Sequence, residues 1–194
     1  MATSPRRRVK WTYGDIFAVP LCDGSFGVCQ AVYDVFTHVA DCAFFSFRLP
    51  ELPRQAPALN PKDIISLTAV WKNPLRNGAW PKIGYAAPIL PVSAFPNQRL
   101  LRKANGVGVH HCNEALIEHF LSAWHALMPW NTFFEEDYLD KMLAPGVARP
   151  PTAIVLDPAA RAEWREREQR KLEGKRAALT APSTRTRPKP ARAG

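Results

Sequence analysis

Apolar positions along the chain first follow strand spacing, then helix spacing, and finally thin out. From Tyr13 to Val32, two runs rich in Val, Phe and Ile flank Cys22-Asp23-Gly24-Ser25. Asp-Gly between such runs is a strong hairpin signal, because Gly24 takes up the positive φ of a tight turn without a Cβ penalty. Pro20 has no N–H for a ladder and Gly27 has no side chain to pack, so an edge or a bulge is predicted there. The expected result is a bent opening hairpin. Asp34 to Asp41 reads as a connection and Cys42 to Leu49 as a third strand, with Phe45 and Phe47 alternating against Ser46 and Arg48. Pro50, Pro53, Pro57 and Pro61 leave no helix or central strand between residues 49 and 62, so an ordered loop wrapping the sheet is predicted. Ile64 to Trp71 is a fourth strand, Asn73 to Gly78 a turn, and Trp80 to Tyr85 a short strand; Ile89 to Phe95 adds one more. Arg99 to Val109 holds Asn105-Gly106-Val107-Gly108, a turn lacking the Gly-Lys-Ser/Thr of a phosphate loop.

Helical spacing begins at Asn113, a capping residue followed by Leu116, Ile117, Phe120, Leu121, Trp124 and Leu127 on one face, with Pro129 as the stop. Thr132 and Glu135 form a capping-box pattern that predicts a second helix to about Leu143, its apolar contacts being Phe133, Phe134, Tyr138, Met142 and Leu143. After the apolar link Ala153 to Leu156, Asp157-Pro158 is an N-cap with proline at the first helical position, so a third helix is predicted over 157–178. That helix has almost no apolar stripe beyond Trp164 and Leu172. Glu163/Arg167 and Glu166/Arg170 stand at i,i+4, worth a few tenths of a kcal/mol each. Residues 179–194, rich in Pro, Thr, Ala and Arg, cannot bury enough surface to order themselves.

Composition changes this picture mainly through where the charge lies. The 194-residue chain carries a formal +9. Residues 1–10 hold four Arg/Lys and no acid, and residues 161–194 hold eleven against four, whereas 11–160 hold eleven against thirteen. The basicity belongs to the ends, and a basic-faced nucleic-acid-binding domain has the opposite distribution. The implied organisation is a basic N-terminal arm (1–10), an α+β body (11–145, with its β part at 11–95 and helices at 113–143), a charged helix (157–178) and a basic tail (179–194). No run of 18 apolar residues predicts a membrane span. The first residues are charged and lead into a strand, so a secretory signal is not expected. Cys22, Cys29, Cys42 and Cys112 form no C-x-x-C pair, and with His110, His111 and His119 they lack metal-ligand spacing. They read as reduced, mostly buried small hydrophobes in a reducing cytoplasm, with neither metal nor cofactor.

Candidate chemistry is sparse. No Gly-x-Ser-x-Gly elbow is present. Asp15 and Asp23 straddle the hairpin, where turn and strand-entry roles explain both. His110-His111-Cys112 has the proximity that Cys–His catalysis needs, yet adjacent residues on an extended chain point opposite ways. Small-barrel ribonucleases of MazF type open on a comparable hairpin, but residues 13–33 contain no Arg or Lys to stabilise the charge of phosphodiester cleavage. Between Asn113 and Leu143, six acids (Glu114, Glu118, Glu135, Glu136, Asp137, Asp140) stand against one lysine. That is either a solvated helical face or an electronegative surface for a basic protein, with Trp130, Phe133, Phe134 and Tyr138 as candidate anchors.

GDIFAVPLCDGSFGVCQAV, followed by NGAWPKIGYAAP, resembles the immunity protein 26 family of bacterial polymorphic-toxin systems. Those proteins open with Gly-Asp-hydrophobic-Phe-Ala-hydrophobic-Pro-Leu-x-Asp-Gly and carry a later Gly-x-Trp-Pro-x-hydrophobic-Gly, here Gly14 to Gly24 and Gly78 to Gly84. Gly14, Asp15, Pro20, Asp23, Gly24, Trp80 and Gly84 are the motif residues. The resemblance covers about residues 11–95. It departs at Cys29, where many relatives have glycine, and leaves the C-terminal half outside. The fold expected from the residues is α+β: a strongly bent antiparallel sheet or SH3-like barrel of five to six strands, covered by a C-terminal helical pair and followed by an extra basic helix. The resemblance implies a non-catalytic immunity protein that occludes a cognate toxin domain, such as a basic nuclease. The alternatives are a nucleic-acid-associated module gripping phosphates through its Arg-rich ends, weakly and without sequence preference, or a MazF-like ribonuclease.

Overall fold

The computed structural model describes residues 9–104 and 108–180, and divides the chain into two compact units, Met1–Val155 and Leu156–Gly194. The N-terminal arginines, Asn105-Gly106-Val107 and the tail from residue 181 lie outside the described residues. The first unit is α+β. Its strands are β1 (Asp15–Pro20), β2 (Phe26–Phe36), β3 (Val39–Leu49), β4 (Ile64–Trp71), β5 (Lys82–Tyr85) and β6 (His111–Cys112), in the sheet order β5-β1-β2-β3-β4-β6. Helices α1 (Asn73–Asn77), α2 (Pro96–Ala104) and α3 (Glu114–Trp124) belong to this unit, and α4 (Pro158–Thr180) to the second.

The opening hairpin forms as its residues dictate. Gly24 has φ +88°, Leu21 N–H donates to the Ser25 carbonyl at 2.8 Å, and Pro20 faces Phe26 at the end of the ladder. Pro20 needs no second partner, because the pairing of β1 with β5 covers only Asp15 to Phe17. The register between β2 and β3 slips between Phe26 and Val28, at Gly27. Both faces of the sheet are buried, which explains why β1 reads as a continuous apolar run. Phe17, Val19, Cys29, Cys42 and Phe44 face a core with Ile117, Phe120 and Leu121 of α3 and with Trp80 and Trp130. Ile16, Ala18, Val28, Ala43 and Phe45 face a second core with Phe95, Leu59 and Ala56, supplied by the proline-rich loop and the stretch after β5. Burial of each large apolar side chain stabilises by roughly 1.5–3 kcal/mol.

Several expectations are corrected. Residues 34–41 are not a connection: β2 and β3 run on to a two-residue turn at Thr37-His38, with Phe36 opposite Val39. Asn73–Asn77 is one helical turn ended by Gly78 at φ +74°. Ile89–Phe95 is not a strand. Its entry is fastened by buried Gln30, whose Nε2 donates to the Ala86 and Ala87 carbonyls at 3.0 and 3.1 Å while Oε1 accepts from Ile89 N–H at 3.0 Å. The stretch from Arg99 begins inside α2. The sheet is mixed, since β6 pairs parallel to β4, and it is open, with β5 and β6 at opposite edges.

The helical pair reduces to one helix. Asn113 caps α3 as expected, its side chain accepting from Leu116 N–H at 2.9 Å. The helix ends at Trp124, where Ala126 (φ 56°) turns the chain. Residues 132–143 form successive turns and a 3-10 segment at Asp140–Met142. A capping box contributes about 1 kcal/mol locally, and long-range bonds outweigh it here. Ser66 Oγ donates to the Met142 carbonyl at 2.6 Å, Ala144 N–H donates to the Ile65 carbonyl at 2.8 Å, and Leu139 is fully buried. In the second unit, Asp157 accepts from Ala160 N–H at 2.9 Å and starts α4, on which Arg167 stacks over Trp164 at 4.6 Å.

Candidate functional site

The two motif segments, more than fifty residues apart, become neighbours through β1 and β5: Asp15 faces Tyr85, Ile16 faces Gly84, and Phe17 faces Lys82. Gly14 holds φ +94°, and a side chain there would meet the Ala86 carbonyl at 2.4 Å. Gly84 lies under Ala56, which a Cβ would approach to 2.7 Å. Asp15 is fully buried; Oδ2 accepts from Thr12 N–H at 2.8 Å, and Lys82 Nζ lies 2.8 Å from Oδ1 as an ion pair without hydrogen-bond geometry. Asp23 accepts from the Ser25 hydroxyl at 2.6 Å and amide at 3.1 Å and pairs with Arg48 at 2.5 Å. Ser25 and then Arg48 pull its carboxyl down to about 2. Asp34 pairs with Lys72, whose ammonium also donates to the Phe36 and Thr37 carbonyls at 3.1 and 3.3 Å. Burial and the bond to Asp34 push the Tyr13 hydroxyl up to about 12.

The absence of Arg and Lys from residues 13–33 therefore misleads in three dimensions. Arg48, Lys72 and Lys82 arrive from β3, the end of β4 and β5. Each meets a hairpin carboxylate at ion-pair distance, so charge is balanced pair by pair. Ser25 Oγ donates to Asp23 and accepts from Arg48 Nε at 3.1 Å, which holds it within the turn, and its carboxylate acceptor is weakly basic, with its pKa lowered to about 2. No local signal marks these partners, because ion pairing across strands has no fixed spacing.

The six acids between Asn113 and Leu143 divide by role. Glu118 is half-buried on α3 and accepts from Trp80 Nε1 at 2.9 Å; burial raises its pKa. Asp140 accepts from Trp130 Nε1 at 3.1 Å and is clasped by Arg149 through Nε and Nη2, with that guanidinium over the Trp130 ring at 5.8 Å. Trp130 is fully buried and belongs to the core, contrary to its reading as a surface anchor: an indole this apolar is more stable packed against Phe120 and Trp124. Tyr138 is half-buried and stacks on Phe133 at 4.9 Å. Glu114, Glu135, Glu136 and Asp137 face outward, Lys141 bridging Glu135 and Asp137. Among them stands Phe134, 92% exposed. His119 joins α3 to this segment, its ring 4.9 Å from Phe133 and its Nε2 3.2 Å from Thr132 Oγ1.

His110-His111-Cys112 lead into and form β6. Asn97 clasps His110 at both backbone groups, accepting from N–H at 3.2 Å and donating to the carbonyl at 2.8 Å. The His111 ring meets Trp71 edge-on at 4.8 Å. Burial pushes the Cys112 thiol up to about 11, the opposite of what an activated nucleophile requires. A cavity of about 400 Å³ adjoins this strand, lined in part by Leu100, Cys112, Tyr138 and Met142. Among the described residues, no group of three or more His, Cys, Asp or Glu is placed to hold a metal ion. No described helix is long and apolar enough to cross a membrane.

Comparison with known proteins leaves the chain to be read on its own residues: no family model, no curated protein and no solved structure matches it.

Proposed function

We propose that this protein is a non-catalytic binder of immunity type, neutralising a cognate toxin domain by one-to-one occlusion. The observation that carries the reading is Phe134, 92% exposed, followed directly by Glu135, Glu136 and Asp137, all exposed. A ring this exposed buries little apolar area on folding, whereas the centre of an interface rewards one. Carboxylates around it would steer a basic partner to the surface and reject acidic ones, raising the association rate more than the final affinity. The resemblance to immunity protein 26, through motif segments that adjoin in the fold, supplies the kind of partner: a toxin domain of basic charge, with a nuclease as the natural candidate. We put its action in the bacterial cytoplasm; free thiols at Cys22, Cys29, Cys42 and Cys112 suit a reducing compartment. The finer architecture we infer is a partly rolled meander of SH3-like kind, curved where the strand register slips.

The test is co-expression with the C-terminal domain of the protein encoded by the neighbouring open reading frame, followed by light scattering of the purified mixture. Growth protection and a one-to-one complex are expected, with association slowed at least tenfold by the triple charge reversal E135K/E136K/D137K. Absence of a complex at micromolar concentrations, or cleavage of RNA by the purified chain alone, overturns the proposal.

A further inference from the structure

A second surface has a different chemistry. Where the chain enters β1, a cleft of about 710 Å³ opens between the Lys10–Tyr13 segment, Asp34, Lys72 and Arg76. Val9 N–H donates to the Arg76 carbonyl at 2.7 Å and pins the entering chain beside α1. Lys72 is 5% exposed and its ammonium is saturated by Asp34 and two carbonyls, so it forms a fixed wall. Arg76 donates to the neutral Thr37 carbonyl at 3.3 Å and its charge also acts on Asp34, while Lys10 is exposed. Both line the cleft, where Lys10, Lys72 and Arg76 outnumber the carboxylate of Asp34 and leave the lining net positive. Trp11 and Tyr13, ring centroids 5.9 Å apart and edge to face, supply aromatic surface between them.

We infer that this cleft binds single-stranded nucleic acid, with bases against Trp11 and Tyr13 and backbone phosphates on Lys10 and Arg76. Aromatic faces interleaved with cations suit a strand whose bases are unstacked, because a duplex keeps its base faces to itself. The inference is independent of the toxin-binding surface at Phe134 and puts nucleic-acid contact on the folded body, not on the tail.

Fluorescence anisotropy of a labelled twelve-nucleotide oligo-uridine with the full chain, between 50 and 200 mM salt, tests it. Binding is expected at 50 mM. The K10E/R76E double reversal should weaken it at least tenfold and reduce the salt slope by about 1.4, at roughly 0.7 per single-strand phosphate contact. Trp11→Leu should weaken binding by at least about fivefold with the slope unchanged, from loss of stacking. Because Trp11 also packs against Phe17, thermal melts accompany each variant, and the reversal at two surface cations carries the test if Trp11→Leu unfolds. Neutralising the tail with R185Q/R187Q/K189Q/R192Q should leave more than half of the affinity. The inference is overturned if the oligonucleotide does not bind, or if the tail variant abolishes binding while the cleft variants match wild type. Equal competition by a duplex, by uridine monophosphate or by polyglutamate also overturns it.

Discussion

Trp80→Phe removes a single bridge between the second motif segment and α3, and its cost can be worked out from the contacts. Trp80 is fully buried, meets Phe44 edge-on at 6.2 Å, and donates from Nε1 to Glu118 Oε1 at 2.9 Å. Loss of a hydrogen bond to a carboxylate that keeps some water costs about 1.5 kcal/mol, the low end for charged acceptors. Exchanging indole for phenyl deletes a few buried heavy atoms and leaves a void, costing about 2 kcal/mol more. The expected destabilisation is about 3.5 kcal/mol, a large part of the 5–15 kcal/mol typical of a domain. Urea unfolding followed by near-ultraviolet circular dichroism, which reports aromatic packing, measures it, and the urea m-value should not change. A double-mutant cycle with Glu118→Ala isolates the bridge, with an expected coupling of about 1–1.5 kcal/mol. Coupling below about 0.5 kcal/mol, the usual error of additivity, would refute the bridge even if Trp80→Phe alone were costly.

Gly14→Ala should destabilise by about 3 kcal/mol or prevent folding, since φ +94° and a 2.4 Å approach to the Ala86 carbonyl both oppose a side chain; thermal melts measure it. Asn113→Ala should cost about 1 kcal/mol by uncapping α3, read from the urea midpoint, whereas Asn113→Asp should keep most of the stability. Asp41 is 1% exposed, and burial raises its pKa against the lowering bonds from Gln98 and Asn97. The folded state therefore holds a proton that the unfolded chain has released, so the contribution of Asp41 to stability falls as pH rises from about 3.9 through the folded value and then levels off. The stability of Asp41→Asn minus that of wild type should grow across that window; a pH-independent difference in urea midpoints would show that this carboxyl does not titrate upward.

What the sequence determines by itself is whatever depends on residues within four or five places of one another. The Asp23-Gly24 turn, the fourth strand at Ile64–Trp71, the cap at Asn113 and the start of α4 at Asp157-Pro158 rest on φ limits, alternation and side-chain bonds to nearby amides, and each forms as read. The capping-box pattern at Thr132 is just as local and fails, because Trp130 donates to Asp140, and the bonds from Ser66 to the Met142 carbonyl and from Ala144 N–H to the Ile65 carbonyl bind the segment to the sheet. About 1 kcal/mol from a capping box cannot compete with burial of Trp130 and Leu139. Tertiary structure alone brought Arg48, Lys72 and Lys82 to a hairpin that has no cation of its own. It alone made β6 the parallel partner of β4, drew Trp130 inward and left Phe134 outside. Chain closure sets those pairings: the partners lie tens of residues apart, and only the folded sheet decides which charges, edges and rings face each other.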